Sequence, residues 1–314
     1  MLRDRPANGR PDGVADAVAQ PGVKQVAAEL GAPAGVLVVG AAPAAAPATP
    51  SELAPAAARR RAARADLGVM LDRLEVKYLV DRTRRTALER DVMALMRLDA
   101  HSRREGGYWV RSLYLDTPDY LAYHEKLAGA ALRHKLRLRV YGADPARETP
   151  FVRLEIKSRV YNFIHKTTAD VPLDDYPDIE RALRCRTLPP ARLMRDPGVR
   201  AFFRLQRQLN MEPKVIVQYR RQAFERPEFQ RVRVSFDDEV FASRYLDLLG
   251  PLQGGRRVLP YGHAVFEMKA DGVMTRALHM LIGKYDLAHE AVSKYCYAVR
   301  ATARLSARAR ARDL

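Results

Sequence analysis

The sequence predicts an α+β fold, an eight-stranded antiparallel β-barrel with helices packed outside. Three observations lead there. Strand-like segments recur between residues 72 and 270, separated by turn residues. Five of them carry charged side chains at alternate positions with apolar ones between, so each strand has one charged and one apolar face. A closed sheet can turn the charged face inward and leave the apolar face for helices to cover.

In chain order, strands are expected at about 72–80, 109–116, 132–142, 150–159, 161–171, 213–225, 230–238 and 262–270, eight in all. Helices are expected at 84–98, 176–184, 191–210, 273–284 and 290–300. Gly106-Gly107, Gly142-Ala143-Asp144-Pro145, Arg226-Pro227 and Gly254-Gly255 mark turns. The first strand sets Arg73, Glu75 and Lys77 against Leu74, Val76 and Tyr78. The segment from Leu132 sets Arg133, Lys135, Arg137 and Arg139 against Leu132, His134, Leu136, Leu138 and Val140. Residues 152–159 repeat this with Arg153, Glu155, Lys157 and Arg159 against Val152, Leu154, Ile156 and Ser158. Residues 231–237 set Arg231, Arg233, Ser235 and Asp237 against Val232, Val234 and Phe236. Last, Glu267 and Lys269 alternate with Phe266 and Met268.

An antiparallel sheet with one dry and one wet face also alternates in this way. The sign of the charge speaks for the inward reading. Exposed faces mix signs because like charges on neighbouring strands repel, whereas here cations dominate and carboxylates come singly. A lumen full of Arg and Lys is costly when empty, about several kcal/mol for each unpaired, partly desolvated cation. It becomes favourable around a dense polyanion, and the few carboxylates then suit a divalent cation held among phosphates.

The chain of 314 residues has a formal charge of +17. A coding bias toward Arg and Ala would give the same balance without any ligand, so the location of the charge matters. Residues 1–70 hold eight Lys and Arg against six Asp and Glu, and the stretch from Arg300 holds five Arg against Asp313. Those segments carry +2 and +4, leaving +11 in the body. Residues 1–69 are rich in Ala, Pro, Gly and Val, lack aromatics and show no sustained period, and are expected to be disordered. Residues 70–300 are the expected folded domain, and 301–314 a basic tail, helical at most. Met70, directly before the first strand, is a second candidate start. The uncharged stretch 30–48 contains Pro33, Pro43 and Pro47 and is too weakly hydrophobic to span a membrane. It also lies too far along to be a secretory signal. Cys185 and Cys296 sit in no metal-ligand spacing, which fits a reducing compartment and excludes a disulfide framework. No P-loop, G-x-S-x-G or H-E-x-x-H motif is present. A cytoplasmic location is the expectation.

The charged strands also carry a family resemblance. Arg73-Leu-Glu75-Val-Lys77-Tyr78 resembles the E-x-K-Y opening of the VTC domain, the polyphosphate polymerase domain of the triphosphate tunnel metalloenzyme superfamily. The likeness continues through Val110-Arg-Ser-Leu-Tyr114-Leu-Asp116-Thr117-Pro118 and Tyr123-His-Glu-Lys126-Leu-Ala-Gly129. It runs on through Arg133 to Gly142, Leu154-Glu155-Ile-Lys157, Lys166, Pro213 to Arg221, Phe266-Glu267-Met-Lys269 and Ser293-Lys294-Tyr295. These segments follow the family's order over about 230 residues.

The resemblance implies an eight-stranded antiparallel tunnel barrel. It also implies phosphate ligands inside: Lys77, Arg137, Arg139, Lys157 and Lys294 in catalytic roles, and Lys126, Arg133, Lys135, Lys166, Arg221 and Lys269 in substrate binding. Glu267 matches the family's metal-ligand strand best and would hold Mn²⁺ or Mg²⁺, with Glu75 and Glu155 as lesser candidates. Hydrolytic members of the superfamily often open with E-x-E-x-K; here Arg73 takes the first of those positions, which weakens a two-metal hydrolytic reading. The implied activity is transfer of the ATP γ-phosphate to a growing inorganic polyphosphate chain. A triphosphatase using the same tunnel and a non-catalytic polyphosphate sensor are the alternatives. Nucleic acid as a specific partner is disfavoured, since the cations alternate on strands rather than interleaving with exposed aromatics. Members that work in a membrane complex imply a separate membrane partner, which would place this chain at the inner face of the membrane. Tyr78 and Tyr114 read as packing residues and Asp116 as a turn or N-cap device. His165 reads either as a phosphate donor or as an ordinary strand residue.

Overall fold

The computed structural model describes residues 73–161, 163–226, 232–271, 274–288 and 292–310. The segment expected to be disordered, together with Arg231 and residues 311–314, lies outside them. Among the described residues, eight long strands form one antiparallel sheet. They are β1 (Arg73–Val80), β2 (Tyr108–Asp116), β3 (Leu132–Tyr141), β4 (Phe151–Val160), β5 (Phe163–Pro172), β6 (Glu212–Glu225), β7 (Arg233–Ser243) and β8 (Ala264–Asp271). Their order is β1-β8-β7-β6-β2-β3-β4-β5. Strands β2 to β5 form a meander, β6 returns to pair with β2, and β7 and β8 continue outward to meet β1.

The sheet curls into a half-barrel. Strands β1 and β5 are its edges, and no backbone ladder joins them among the described residues. Side chains bridge the opening instead: Lys157 Nζ on β4 donates to Glu75 Oε2 on β1 at 2.7 Å.

Period-2 alternation then decides where the helices go. On the convex side, α3 (Tyr176–Cys185) and α4 (Pro197–Gln208) bury Ile179, Phe202 and Phe203 against Leu136, Leu138 and Leu154. Next to them, α1 (Arg82–Leu95) and α5 (Arg276–Lys284) bury Leu88 and Leu278 against Tyr78, Phe236 and Phe266. Tyr78 is thus the packing residue the sequence suggested.

Helix α6 (Lys294–Arg310) departs from the expectation that helices lie outside. Its Tyr295, Ala298 and Val299 pack on Val110, Val215 and Val217, whose side chains belong to the concave face. The inner face is therefore charged on one side and apolar under α6 on the other. A short helix, α2 (Leu121–Leu127), follows β2, and Asp116 holds its start by accepting from the N–H groups of Thr117, Ala122 and Tyr123.

Two further differences have local causes. The single helix expected over 191–210 begins only at Pro197, where Asp196 caps the N–H groups of Gly198 and Val199. Strand β7 runs to Ser243, beyond the expected end at 238. Glu239 sits there at φ +50° and the β6–β7 register slips between Gln218 and Arg220, so the acidic run is a bulge and not a turn.

Candidate functional site

The register of the strands builds the site in levels. Across β3 and β4, Arg133 faces Arg159, Lys135 faces Lys157, and Arg137 faces Glu155. Lys166 on β5 stands opposite Lys157. On the other wall, Lys77 pairs with Glu267, Glu75 with Lys269, and Arg221 with Asp237. Helix α2 brings Lys126 and the start of α6 brings Lys294. Together they enclose a cavity of about 330 Å³, and all fourteen residues expected from the sequence line it.

Twelve Lys and Arg side chains line the cavity against three Glu, so cations outnumber the available partners. In the deeper levels every carboxylate is gripped. Glu155 accepts from Arg137 Nε at 2.5 Å, pairs with Lys166, and lies 3.8 Å from Arg139. Glu267 is 2.8 Å from Lys269, 3.6 Å from Arg221 and 3.9 Å from Lys77. Glu75 holds Lys77 at 2.5 Å and Lys157 at 2.7 Å. Asp237, fully buried, takes a bidentate bond from Arg221 at 2.6 and 2.8 Å and pairs with Lys294. At the outer level the pattern changes. Among the described residues, Lys126, Arg133 and Arg159 form no ion pair with a carboxylate.

Protonation follows from this arrangement. Burial pushes the carboxyls of Glu75, Glu155 and Glu267 up, but the surrounding Lys and Arg outweigh it and hold all three well below the usual range. Burial pushes the Lys157 ammonium down to about 8 despite Glu75, and lowers Lys135 and Lys269 as well. At the mouth, burial and then the neighbouring cations lower Lys126 and Arg133. The Tyr114 phenol is also buried, yet Arg137, Arg139 and Lys135 bring it down to about 8.

The three glutamates named as metal candidates do not converge on one point. Among the described residues no group of three or more His, Cys, Asp or Glu converges. Glu155 turns to Arg137, Arg139 and Lys166, whereas Glu75 and Glu267 flank the same Lys77 ammonium, at 2.5 and 3.9 Å, and the Glu267 charge opposes that of Glu75. A pair of carboxylates suits Mg²⁺ or Mn²⁺, which complete their shell with water and phosphate oxygens and need no all-protein cage.

Several contributors were not singled out from the sequence. Arg159 is the next same-face position after Lys157, and Asp237 lies on a charged face, so alternation alone marks both. Tyr114, read as packing, does pack on Tyr295 with ring centroids 5.2 Å apart, but its hydroxyl also accepts from Arg137 at 3.1 Å. Tyr219 accepts from Arg139 at 3.3 Å, and Ser293 from Lys135 at 3.2 Å. His165 is exposed beside Ser158 on the face opposite to Lys166, the ordinary strand position.

The family model of the VTC domain matches residues 72–303, most of the chain. The chain belongs to the VTC domain family. Solved structures similar to this VTC domain include a Pyrococcus horikoshii protein at 12% identity and a TM-score of 0.39, covering 73% of this chain and 98% of that one. An adenylate cyclase candidate from Vibrio parahaemolyticus shows 13% identity and a TM-score of 0.38, covering 70% and 94%. An adenylyl cyclase candidate from Hippeastrum, described as having a dominant triphosphatase activity, shows 13% identity and a TM-score of 0.39, covering 71% and 93%. No curated protein sequence matches the chain. Among the described residues, no helix is long and apolar enough to cross a membrane.

Proposed function

We propose that this VTC domain is a polyphosphate polymerase that transfers the γ-phosphoryl group of ATP to the end of a growing polyphosphate chain. The observation that carries the reading is the surplus of cations in a cavity that also holds Glu75 and Glu267, two carboxylates flanking one Lys77. The run from Arg133 to Arg139 spans about 20 Å at the rise of an antiparallel strand, room for a chain and not only for one triphosphate.

Phosphoryl transfer asks for in-line positioning and charge neutralisation more than for a covalent nucleophile. Arg137, Arg139, Lys77, Lys157 and Lys294 would neutralise and align the reacting phosphates. Lys126, Arg133, Lys135, Lys166, Arg221 and Lys269 would hold the remainder of the nucleotide phosphates and the chain. Mn²⁺ or Mg²⁺, held by Glu75 and Glu267, would supply Lewis-acid neutralisation of the phosphate oxygens. Glu155 serves a different purpose. It orders Arg137, Arg139 and Lys166, fixing the guanidinium planes before substrate arrives. A cytoplasmic location and a separate membrane partner belong to the same proposal and rest on the family likeness.

The test is turnover of ATP with Mn²⁺ or Mg²⁺ by the purified chain, following ADP, orthophosphate and long-chain polyphosphate together, beside Glu267→Gln. ADP and polyphosphate are expected to rise in step, with a loss of about a hundredfold or more in the variant. ADP with orthophosphate alone would make the protein a triphosphatase. Triphosphate binding without turnover would make it a sensor.

A further inference from the structure

We propose that Tyr161 is a nucleobase-stacking residue at the mouth of the cavity, so that the site prefers nucleoside triphosphates to inorganic tripolyphosphate. The inference rests on the reading of the cavity as an ATP site and names the part of the substrate that stays outside it.

The two ends of the cavity differ. Toward Arg139 the cations are committed to Glu155 and Asp237, and aromatic rings close in around them. Toward Arg133 and Arg159, the cations face each other across β3 and β4 with no ion pair among the described residues, and the Glu125 carboxylate near Arg133 offsets only part of their charge. A polyanion is drawn first to the end where charge is unneutralised. The terminal phosphates then lead inward to the deeper cations, and the nucleoside trails at the Arg159 end.

Tyr161 does not line the cavity itself, but it follows the lining residue Arg159 closely in the chain and is bonded to it, which puts it just outside that end. Its side chain is 71% exposed, and among the described residues its ring has no aromatic or cationic partner. Its backbone, in contrast, is fixed. The Tyr161 N–H donates to Ala131 O at 2.8 Å, and its carbonyl accepts from Arg159 Nε at 2.9 Å. The phosphate-facing guanidinium and the exposed ring are therefore tied together. The Tyr161 φ of +52° is the conformation that the tight turn between paired Val160 and Phe163 calls for, and it holds the ring at the tip of the hairpin.

The buried rings of the cavity cannot take this role. Tyr114 and Tyr295 already stack on each other, and Tyr219 carries Lys294 on its face. Inserting a base among twelve cations would also desolvate them without pairing them. An exposed ring at the rim offers a π-face at no such cost, and base-on-ring stacking tolerates any base. The preference should therefore be for nucleotides as a class and not for adenine.

The experiment compares dissociation constants of ATP, GTP and tripolyphosphate for the full chain, Tyr161→Ala and Tyr161→Phe. Tyr161→Ala is expected to weaken both nucleotides about tenfold, as loss of one stacking contact implies, with tripolyphosphate unchanged within about twofold. Tyr161→Phe should keep the wild-type values. Unchanged nucleotide affinity in Tyr161→Ala would overturn the subsite, as would an equal loss for tripolyphosphate, which would show a displaced Arg159. If the wild-type chain binds tripolyphosphate and no nucleotide, the subsite falls while the phosphate cavity stands. If it binds none of the three, both fall.

Discussion

Lys157 illustrates how one residue's surroundings set its chemistry. Its folded pKa, pushed down to about 8 by burial, lies below the ordinary lysine value of 10.5. A lowered lysine makes the folded state less able to hold the proton. Below pH 8 the fold carries the cost of a buried ammonium, and that cost is relieved as pH rises from about 8 toward 10.5. Ligand affinity moves the other way, because phosphate needs the charged form. Tripolyphosphate binding is expected to weaken as pH rises through about 8, and between about pH 8 and 9 to be accompanied by proton uptake. Calorimetry in two buffers of different ionisation enthalpy reads that uptake; equal heats in both would show Lys157 already charged. The existence of this site was legible in the sequence, since one face of β4 carries Arg153, Glu155, Lys157 and Arg159. Its partner was not, because nothing local says that Glu75, over eighty residues away, will reach the ammonium.

At the scale of elements, α6 shows where patterning runs out. Its apolar residues at 295, 298 and 299 mark a helix with one buried stripe, but a stripe does not say which face of a sheet will receive it. A signal existed on the sheet: β6 places Val215 and Val217 in phase with Tyr219 and Arg221, so part of the charged face is apolar and requires a cover. The helix is anchored there by the Tyr295 hydroxyl, which donates to buried Asp116, the residue that also caps α2. One carboxylate thus fixes both helices that present cations, Lys126 and Lys294. Tyr295→Phe keeps the ring packing and removes this charge-assisted bond, at an expected cost of about 2 kcal/mol. Denaturant unfolding measures it, and a cost of a few tenths would mean that α6 is held by packing alone. The bulge at Glu239 and the helix start at Pro197 were missed for a different reason: acidic runs and Pro each have two local readings, decided only by neighbouring strands and caps.

For the whole molecule, the excess of buried cations sets a balance between stability and readiness. Apolar cores on both faces of the sheet support a lining that repels itself, and the chain retains that repulsion until an anion enters. Tripolyphosphate at about a hundredfold excess over its dissociation constant is expected to raise the unfolding free energy by about 2.7 kcal/mol. A thermal-shift titration reports this directly, and the shift should shrink in added salt as screening grows. No shift at any ligand concentration would remove phosphate as the occupant. The fold class was legible because strand alternation and its sign agree over five segments. The openness of the barrel was not, because closure depends on how far the edge strands approach, a property of the assembled curl and not of any one strand.

That opening has a further consequence. Lys157 is both a proposed phosphate ligand and the clasp that draws β1 toward β4 through Glu75. It cannot serve both ends fully at once. In the proposed function, an ammonium turned to a phosphate would leave Glu75 short of a partner and available to a metal ion at the moment the anion arrives. The same exchange would slacken the side-chain stitch between β1 and β4, Lys157 to Glu75, and loosen the wall beside the proposed substrate. On the proposed reading the container would yield as it fills, and a lengthening chain would press on the side of the vessel that is sewn rather than woven.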